Sequence, residues 1–238
     1  MLLLAAPLAA REKNLLNEAD SIYARGGMDS YQESIGLYRR ALSDNPEDFE
    51  SAWKCARAYW KYAEAAKTKQ VAEWKEICAA SGKLGMRYAE KAMATAPGRP
   101  DGYYYYALNA GIYADGVSML TALMAGLKGK VQGSLEKVYE LDPLYDNAEA
   151  ILGLGRFWSV VPWPFRDRQK ALVYYREYQS TEYFSKKDEA RLYLAELLLE
   201  LSGDENIAEA RALLERVVTS GNKDICRRAR RLMDKTKP

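Results

Sequence analysis

The residue types that carry most enzyme chemistry are scarce in this chain. Its 238 residues include no histidine, which excludes Ser-His-Asp and Cys-His catalysis, histidine-containing zinc sites and a histidine pH switch. The three cysteines, Cys55, Cys78 and Cys226, are far apart in sequence and form no CxxC pair. Neither a zinc site nor a dense disulfide framework is therefore expected. We interpret the cysteines as buried free thiols, and we predict no metal, no cofactor and no catalytic residue.

Two short motifs only partly match nucleotide-binding loops. GLGRF, at 153–157, begins like a dinucleotide fingerprint, but it lacks the third glycine and no strand precedes it. Around the segment 125–133, Met124 stands where a phosphate loop needs glycine and Val131 where it needs Ser or Thr. No pair of carboxylates lies in an apolar setting suited to acid-base catalysis. These patterns predict a protein that is not an enzyme.

Aromatic residues are the more informative feature, with 18 Tyr and five Trp against four Phe. Tyr and Trp join an apolar ring to a polar group, which suits surfaces that make contacts. In the run YYYY, Tyr103 and Tyr106 are predicted to pack into neighbouring helices, whereas Tyr104 and Tyr105 face outward. Arg57 would pair with a carboxylate of whatever binds. The predicted ligand- or partner-binding residues are Trp53, Arg57, Trp60, Tyr104, Tyr105, Leu108, Phe157, Trp158 and Trp163. The alternative is that these residues only fill the core between long helices.

The elements that would position these residues are helices. The chain is 48% hydrophobic and 29% charged, which is an ordinary globular composition. It contains only 22 Val, Ile and Thr residues, fewer than a β-sheet protein needs. We therefore predict an all-α fold with helices near 12–25, 31–44, 48–66, 70–95, 101–115, 118–140, 146–159, 167–182, 186–202, 205–219 and 222–235.

One phrase recurs three times, at 38–53, 89–104 and 135–150. Each copy has two apolar or small residues three apart and a proline five residues after the second. Such a phrase predicts a helix end, a tight turn and a new helix, with Asp48 and Asp101 as helix N-caps. The helical part extends back to Ser34, Gly85 and Val131 and recurs without proline at Ala171, Tyr175, Tyr178 and at Ala210, Leu214, Val217. The first helix of each pair carries a small residue for close packing: Ala19, Ala56, Ala107, Gly153 and Ala195.

These residues resemble the tetratricopeptide repeat (TPR), in which a small residue on one helix interlocks with bulky residues on the next. The resemblance covers most of residues 12–220 and implies a helical-hairpin solenoid with long helices and a C-terminal capping helix near 222–235. The prolines at 46, 97 and 143 are 51 and 46 residues apart, whereas the ordinary TPR unit has about 34. Longer helices, or extra segments near 71–83 and 117–130, are expected to account for the difference.

The stretches at 102–111, 130–150 and 161–172 also resemble the periplasmic T component of tripartite ATP-independent periplasmic (TRAP) transporters. That resemblance implies a non-enzymatic adaptor that binds a periplasmic solute receptor and assists solute uptake. Eukaryotic microtubule-dynamics regulators have a similar long-TPR pattern. The alternative function is a cytoplasmic TPR scaffold that binds peptide segments of partner proteins.

The predicted partners follow from these alternatives. They are a protein, such as a periplasmic solute-binding receptor, and a small hydrophobic or carboxylate ligand. We expect neither binding to nucleic acid nor a membrane span. Whether the chain forms a homo-oligomer is left undecided. The segment 117–126 is apolar on every face, so we expect it to lie in the hydrophobic core. The alternatives are that it forms an oligomer interface or the wall of a ligand chamber. The loop 160–165 cannot be helical through its two prolines, and it holds Trp163 and Phe165 as a lid or an end plug.

The first ten residues are apolar and the next are charged. They are too few to span a membrane, and they are similar to the end of a signal peptide without its basic region. We therefore predict a signal-peptide remnant at 1–10 and one TPR-like domain at 11–238. The corresponding location is periplasmic or exported, and the alternative is cytoplasmic.

Overall fold

The regular structure of the chain is helical, as the sequence predicts. A computed structural model describes residues 8–234 and residue 236, and within that part there are twelve α-helices, one short 3₁₀ turn and no strand. The helices are α1 (Leu8–Arg25), α2 (Met28–Asp44), α3 (Phe49–Lys69), α4 (Trp74–Thr95), α5 (Pro100–Gly116), α6 (Met119–Met124), α7 (Leu127–Leu141), α8 (Tyr145–Val160), α9 (Arg168–Gln179), α10 (Asp188–Leu201), α11 (Asp204–Val217) and α12 (Lys223–Asp234). Of the predicted signal-peptide remnant, residues 1–7 lie outside the described residues and 8–10 begin α1.

One predicted helix is in fact two. The expected helix at 118–140 is divided into α6 and α7, because Gly126 has a φ of +68°, in the left-handed region that glycine tolerates best. The short α6 also contradicts the prediction that its segment is core, since the side chains of Leu120 and Met124 are 66% and 81% exposed. Ala122, between them, is buried. The insertion of α6 and the long α3 and α4 account for the wide spacing of the prolines.

Local capping explains where several helices begin. The carboxylate of Asp48 accepts a hydrogen bond from the Ser51 amide at 2.6 Å, which confirms Asp48 as the N-cap of α3. Asp101 was predicted to play this part for α5, and that prediction is wrong. The helix begins one residue earlier, at Pro100, whose fixed φ suits a first helical position. Asp101 is instead buried in the first turn.

The chain forms two compact units, one up to Leu141 and one from Asp142 onward. In the first unit, consecutive helices from α1 to α5 pack against each other, and α7 packs against α5. The repeat residues of α2, α4 and α7 face this core. Of the predicted positions, all but the half-buried Val131 are buried: Ser34, Tyr38, Ala41, Gly85, Ala89, Ala92, Leu135 and Val138. The positions that define the sequence repeat are thus, apart from Val131, the positions that are buried in the structure.

Asn109 holds three helices of the first unit together. Its amide nitrogen, on α5, donates to the backbone carbonyl oxygens of Ala56 on α3 at 3.0 Å and of Tyr105 at 2.8 Å. On α4, a Cβ at Gly85 would overlap the Asn109 side chain. Only glycine lets α4 approach α5 this closely, so Gly85 is required by packing rather than by a turn.

The second unit repeats the hairpin arrangement with α8 to α12. The predicted positions Ala171, Tyr175 and Tyr178 on α9 are buried, as are Ala210, Leu214 and Val217 on α11. A close approach occurs at Gly155, where a Cβ would lie 2.5 Å from the ring of Tyr175. The repeat pattern predicts such a close helix contact at Gly153 instead, but Gly153 is only half-buried. The last helix, α12, buries Ile225 and Ala229 and exposes most of its charged residues, as a capping helix does.

Candidate functional site

The predicted aromatic residues of the first unit form one contiguous cluster. The Tyr105 ring stacks on Trp53, with centroids 5.7 Å apart and planes inclined by 11°, and it lies 6.3 Å from the Trp60 ring. Tyr104 meets Tyr105 edge-to-face at 5.1 Å. Leu108, one turn farther along α5, is half-buried.

The cluster is more closed than predicted. Tyr104 and Tyr105 are only 4% and 8% exposed, so the prediction that they face outward is wrong. The physical reason is that α3 and α5 carry large rings on facing positions, and stacked rings fill the space between the two helices. Trp53 and Trp60 remain half-buried and present only their outer parts to solvent.

Arg57 belongs to the same cluster and already has an internal carboxylate. Its guanidinium lies 4.0 Å from the Tyr23 ring centroid and 3.7 Å from the Asp20 carboxylate. Asp20 also accepts hydrogen bonds from the Tyr38 hydroxyl at 2.6 Å and from Lys54 at 2.8 Å. Burial and the bond to Asp20 raise the pKa of Tyr38 and keep its hydroxyl protonated as the donor. The expected partner of Arg57 is thus supplied by the chain itself.

The predicted residues of the second unit are separate features. Phe157 and Trp158 meet edge-to-face at 5.1 Å, and the Lys170 ammonium lies 4.1 Å from the Trp158 ring centroid. Trp163 is in the loop between α8 and α9, which is non-helical as predicted. Its side chain is 88% exposed and makes no ring contact within the described part of the chain. It is the most accessible of the nine predicted residues.

A cavity that was not predicted lies in the second unit. Its volume is about 980 Å³, and it is lined mainly by α8, α10, α11 and α12. Tyr193 contributes an aromatic wall. The charged residues that line it are Arg156, Arg166, Arg211, Arg228, Glu196, Glu200 and Asp204. Four guanidinium groups against three carboxylates leave the wall with an excess of one positive charge.

Ion pairs across helices organise this cavity. The two oxygens of Glu196 accept hydrogen bonds from Arg156 at 3.1 Å and from Arg228 at 2.5 Å. Both guanidinium groups lie near the Tyr193 ring, 4.4 Å and 5.8 Å from its centroid. Glu200 pairs with Arg166 at 3.8 Å. The wall of the cavity therefore presents charged side chains to any group that enters it.

Sequence spacing gave no signal for this site. Arg156, Glu196 and Arg228 are 40 and 32 residues apart in the chain, and no repeat position links them. Arg228 belongs to the predicted C-terminal capping helix near 222–235, where it is one of several basic residues. Arg156 stands directly before the predicted Phe157 in the sequence. Only the packing of three helices places these side chains together.

Other chemistry is not evident in the described residues. Cys55 and Cys78 are buried free thiols as predicted, and Cys226 is half-buried. Burial raises the pKa of Cys55 and makes its thiol a poor nucleophile. Across the described range, no group of three or more Cys, Asp or Glu side chains could hold a metal ion. None of the helices described is both long and apolar enough to cross a bilayer.

Comparison with known proteins identifies the fold and a family model. The model described as "Regulator of microtubule dynamics protein 1-3" matches residues 15–162, which is more than half of the chain. No curated protein sequence matches significantly. Among solved structures, the thermophilic TPR protein TTC0263 of Thermus thermophilus has a TM-score of 0.61 at 20% identity, and the match covers 93% of this chain and 98% of that one. MamA protein has a TM-score of 0.56 at 12% identity, with 94% and 92% covered. These likenesses confirm the TPR-like fold class.

Proposed function

This chain belongs to the family described as regulator of microtubule dynamics protein 1-3, and on that premise and its TPR-like fold we propose that it is a non-enzymatic scaffold that binds partner proteins. The observation that carries the proposal is the cavity of about 980 Å³ in the second unit, with four arginines in its wall. Its volume lies in the range of binding clefts, about 300–1,000 Å³. We assign it as the partner-binding site.

The chemistry of the wall indicates what the partner brings. A guanidinium group offers a planar set of N–H donors that matches a carboxylate, and arginine and tyrosine often dominate binding energy. The positive excess of the wall favours a ligand with negative charge. The proposed partner is therefore a protein segment with acidic side chains, and a small carboxylate ligand would use the same donors.

A direct test uses a fluorescein-labelled hexaglutamate peptide and its hexaglutamine counterpart, with binding measured by fluorescence anisotropy. The wild-type protein should bind the acidic peptide and not the neutral one. Arg228→Gln should weaken binding roughly tenfold, the equivalent of about 1.4 kcal/mol, because it removes a charged donor from the cavity. Arg231→Gln is the matched control, since Arg231 is an exposed arginine of the same helix outside the cavity wall. Equal losses in both variants would argue against the assignment.

The aromatic cluster of the first unit is a second candidate surface. Two of its donors, Nε1 of Trp53 and Nε of Arg57, are buried and make no hydrogen bond within the described residues. A ligand acceptor that satisfied them would relieve the cost of burying an unpaired polar atom. In this proposal an apolar solute or a partner loop contacts Trp53, Arg57, Trp60 and Leu108, and the buried tyrosines position the two tryptophans.

Trp60→Ala and Tyr104→Ala separate binding from packing at this cluster. A binding role predicts a loss of about 1–4 kcal/mol of affinity, whereas a packing role predicts a loss of about 3–5 kcal/mol of stability. Both quantities are measured on the same two variants. Variants that are much less stable but bind normally once folded would remove the aromatic cluster from consideration.

The cellular setting of the scaffold has two candidates. The first is a cytoplasmic scaffold that binds peptide segments, and the matched family, whose name refers to microtubule dynamics, favours it. The second is a periplasmic adaptor that binds the solute receptor of a TRAP-type transporter. Co-sedimentation with purified microtubules tests whether the chain shares the action named for its family. Neighbouring genes for a membrane transporter and a solute receptor would favour the second setting.

Sequencing the N-terminus of the native protein also separates these settings. Export predicts a mature chain that begins near Arg11, because the change from apolar to charged residues lies there. An intact Met1 in the cytosol would contradict export and leave the cytoplasmic scaffold.

A further inference from the structure

Glu196 lies in the second-unit cavity in the position that a bound carboxylate would take. One of its oxygens accepts a hydrogen bond from Arg156 and the other from Arg228. The three side chains come from α10, α8 and α12, so one carboxylate joins three different helices. Charge-assisted hydrogen bonds of this kind, from guanidinium N–H groups to carboxylate oxygens, are among the stronger hydrogen bonds in proteins.

The two arginines have unused binding capacity. A guanidinium carries five N–H donors, and the described residues give neither Arg156 nor Arg228 an acceptor other than Glu196. Their side chains are 37% and 42% exposed and line the cavity, so the remaining donors are accessible from it. The Tyr193 ring centroid lies 4.4 Å from the Arg156 guanidinium and 5.8 Å from that of Arg228. Two arginines and one glutamate also leave one positive charge unbalanced.

We infer that Arg156 and Arg228 form the carboxylate-binding pair of this cavity, and that Glu196 is an internal competitor of the partner's acidic side chain. The inference rests on the proposed function of the cavity. A partner carboxylate must share the two guanidinium groups with Glu196 or displace it. Glu196 therefore lowers the affinity for a single carboxylate and favours segments that carry several acidic residues close together.

A purely structural role for Glu196 makes a different prediction. If its ion pairs only join α8, α10 and α12, removal of the charge lowers stability and leaves acidic ligands no better bound. If Glu196 competes, removal of the charge frees donors that an incoming carboxylate can use. The direction of the change in affinity separates these two roles.

The test is Glu196→Gln, measured with the labelled hexaglutamate peptide at low salt. We expect affinity to rise roughly three- to tenfold, the range for one partly exposed charged hydrogen-bond pair. Asp204→Asn is the matched control, because Asp204 lines the same cavity but makes no ion pair with any described arginine or lysine. It should raise affinity less than twofold. If Glu196→Gln does not fold, Glu196→Asp withdraws the carboxylate by one methylene and is expected to act in the same direction.

The outcomes separate this inference from the proposed function. A gain specific to the Glu196 variant supports the competition. If the wild type binds the peptide and the Glu196 variant binds no better, or if Asp204→Asn gains as much, the competition is wrong and the binding function stands. If neither the wild type nor the variant binds, the assignment of the cavity as a partner site is overturned together with the inference.

Discussion

Both units place an arginine against an aromatic ring and a carboxylate, but they differ in the space around it. In the first unit Arg57 lies 4.0 Å from the Tyr23 ring centroid and 3.7 Å from Asp20, beside stacked rings. In the second unit Arg156 lies 4.4 Å from the Tyr193 ring centroid and 3.1 Å from Glu196, at the edge of a large cavity. The same combination of an arginine, a tyrosine and a carboxylate thus lies beside closely packed rings in the first unit and lines a cavity in the second.

The difference follows from what surrounds each arginine. Facing rings on α3 and α5 gain contact area by stacking, and water is excluded from between them. On α8, α10 and α12 the corresponding space is bordered by charged side chains, of which Arg156, Glu196 and Arg228 form ion pairs along the cavity wall and leave its interior unfilled. In the first unit, stacked rings fill the space beside the arginine, whereas in the second unit paired charged side chains border an open cavity.

Removal of a stacked ring should give the largest effect. Tyr105→Ala deletes a buried ring that contacts Trp53, Trp60 and Tyr104, and we expect a loss of about 3–5 kcal/mol in the free energy of unfolding. Trp163→Ala, at an 88% exposed position, should change it by less than about 0.5 kcal/mol. Urea denaturation of both variants measures the difference. Equal losses would mean that the burial of a ring does not determine its contribution to stability here.

Alkaline pH should destabilise both units through buried tyrosines. Burial raises the pKa of Tyr175 in the second unit, and of Tyr59 in the first, to about 12 from 10.0. The folded state therefore retains these protons above pH 10, where the unfolded state releases them. Stability is complete below about pH 10 and is lost as pH rises from 10 to 12, by about 2–3 kcal/mol for Tyr175.

Denaturation between pH 9 and pH 12 tests this expectation. Tyr175→Phe and Tyr59→Phe should each flatten the decline in stability with pH. A curve for Tyr175→Phe as steep as that of the wild type would show that the second unit is open to solvent at its core as well as at its cavity.

Close helix packing should also be measurable in the second unit. Gly155→Ala places a Cβ within 2.5 Å of the Tyr175 ring, and overpacking of this kind costs about 1–3 kcal/mol of stability. Gly133→Ala on α7 is the control, because a Cβ there meets no atom within 4 Å. That control should be neutral or stabilising by up to about 1 kcal/mol, since alanine favours a helix. A stabilised Gly155 variant would mean that α8 and α9 can separate without cost.

The sequence predicted the fold far better than the site. Repeat positions such as Tyr38, Ala89 and Leu214 were identified because burial on one helical face leaves a periodic pattern. The exposure of Tyr105 was predicted incorrectly, because periodicity places a residue on a face but does not say which rings stack across it. The cavity was not predicted, since Arg156 and Arg228 meet only through tertiary packing and carry no spacing of their own.

The most direct test of the central claim compares the two arginines. Arg156→Gln and Arg57→Gln each remove one guanidinium group that lies on an aromatic ring and pairs with a carboxylate, and each is measured for affinity toward the hexaglutamate peptide. Our account predicts a loss of roughly tenfold for Arg156→Gln and less than twofold for Arg57→Gln. A tenfold loss for Arg57→Gln with normal binding by Arg156→Gln would contradict it and place the partner site on the aromatic cluster of the first unit.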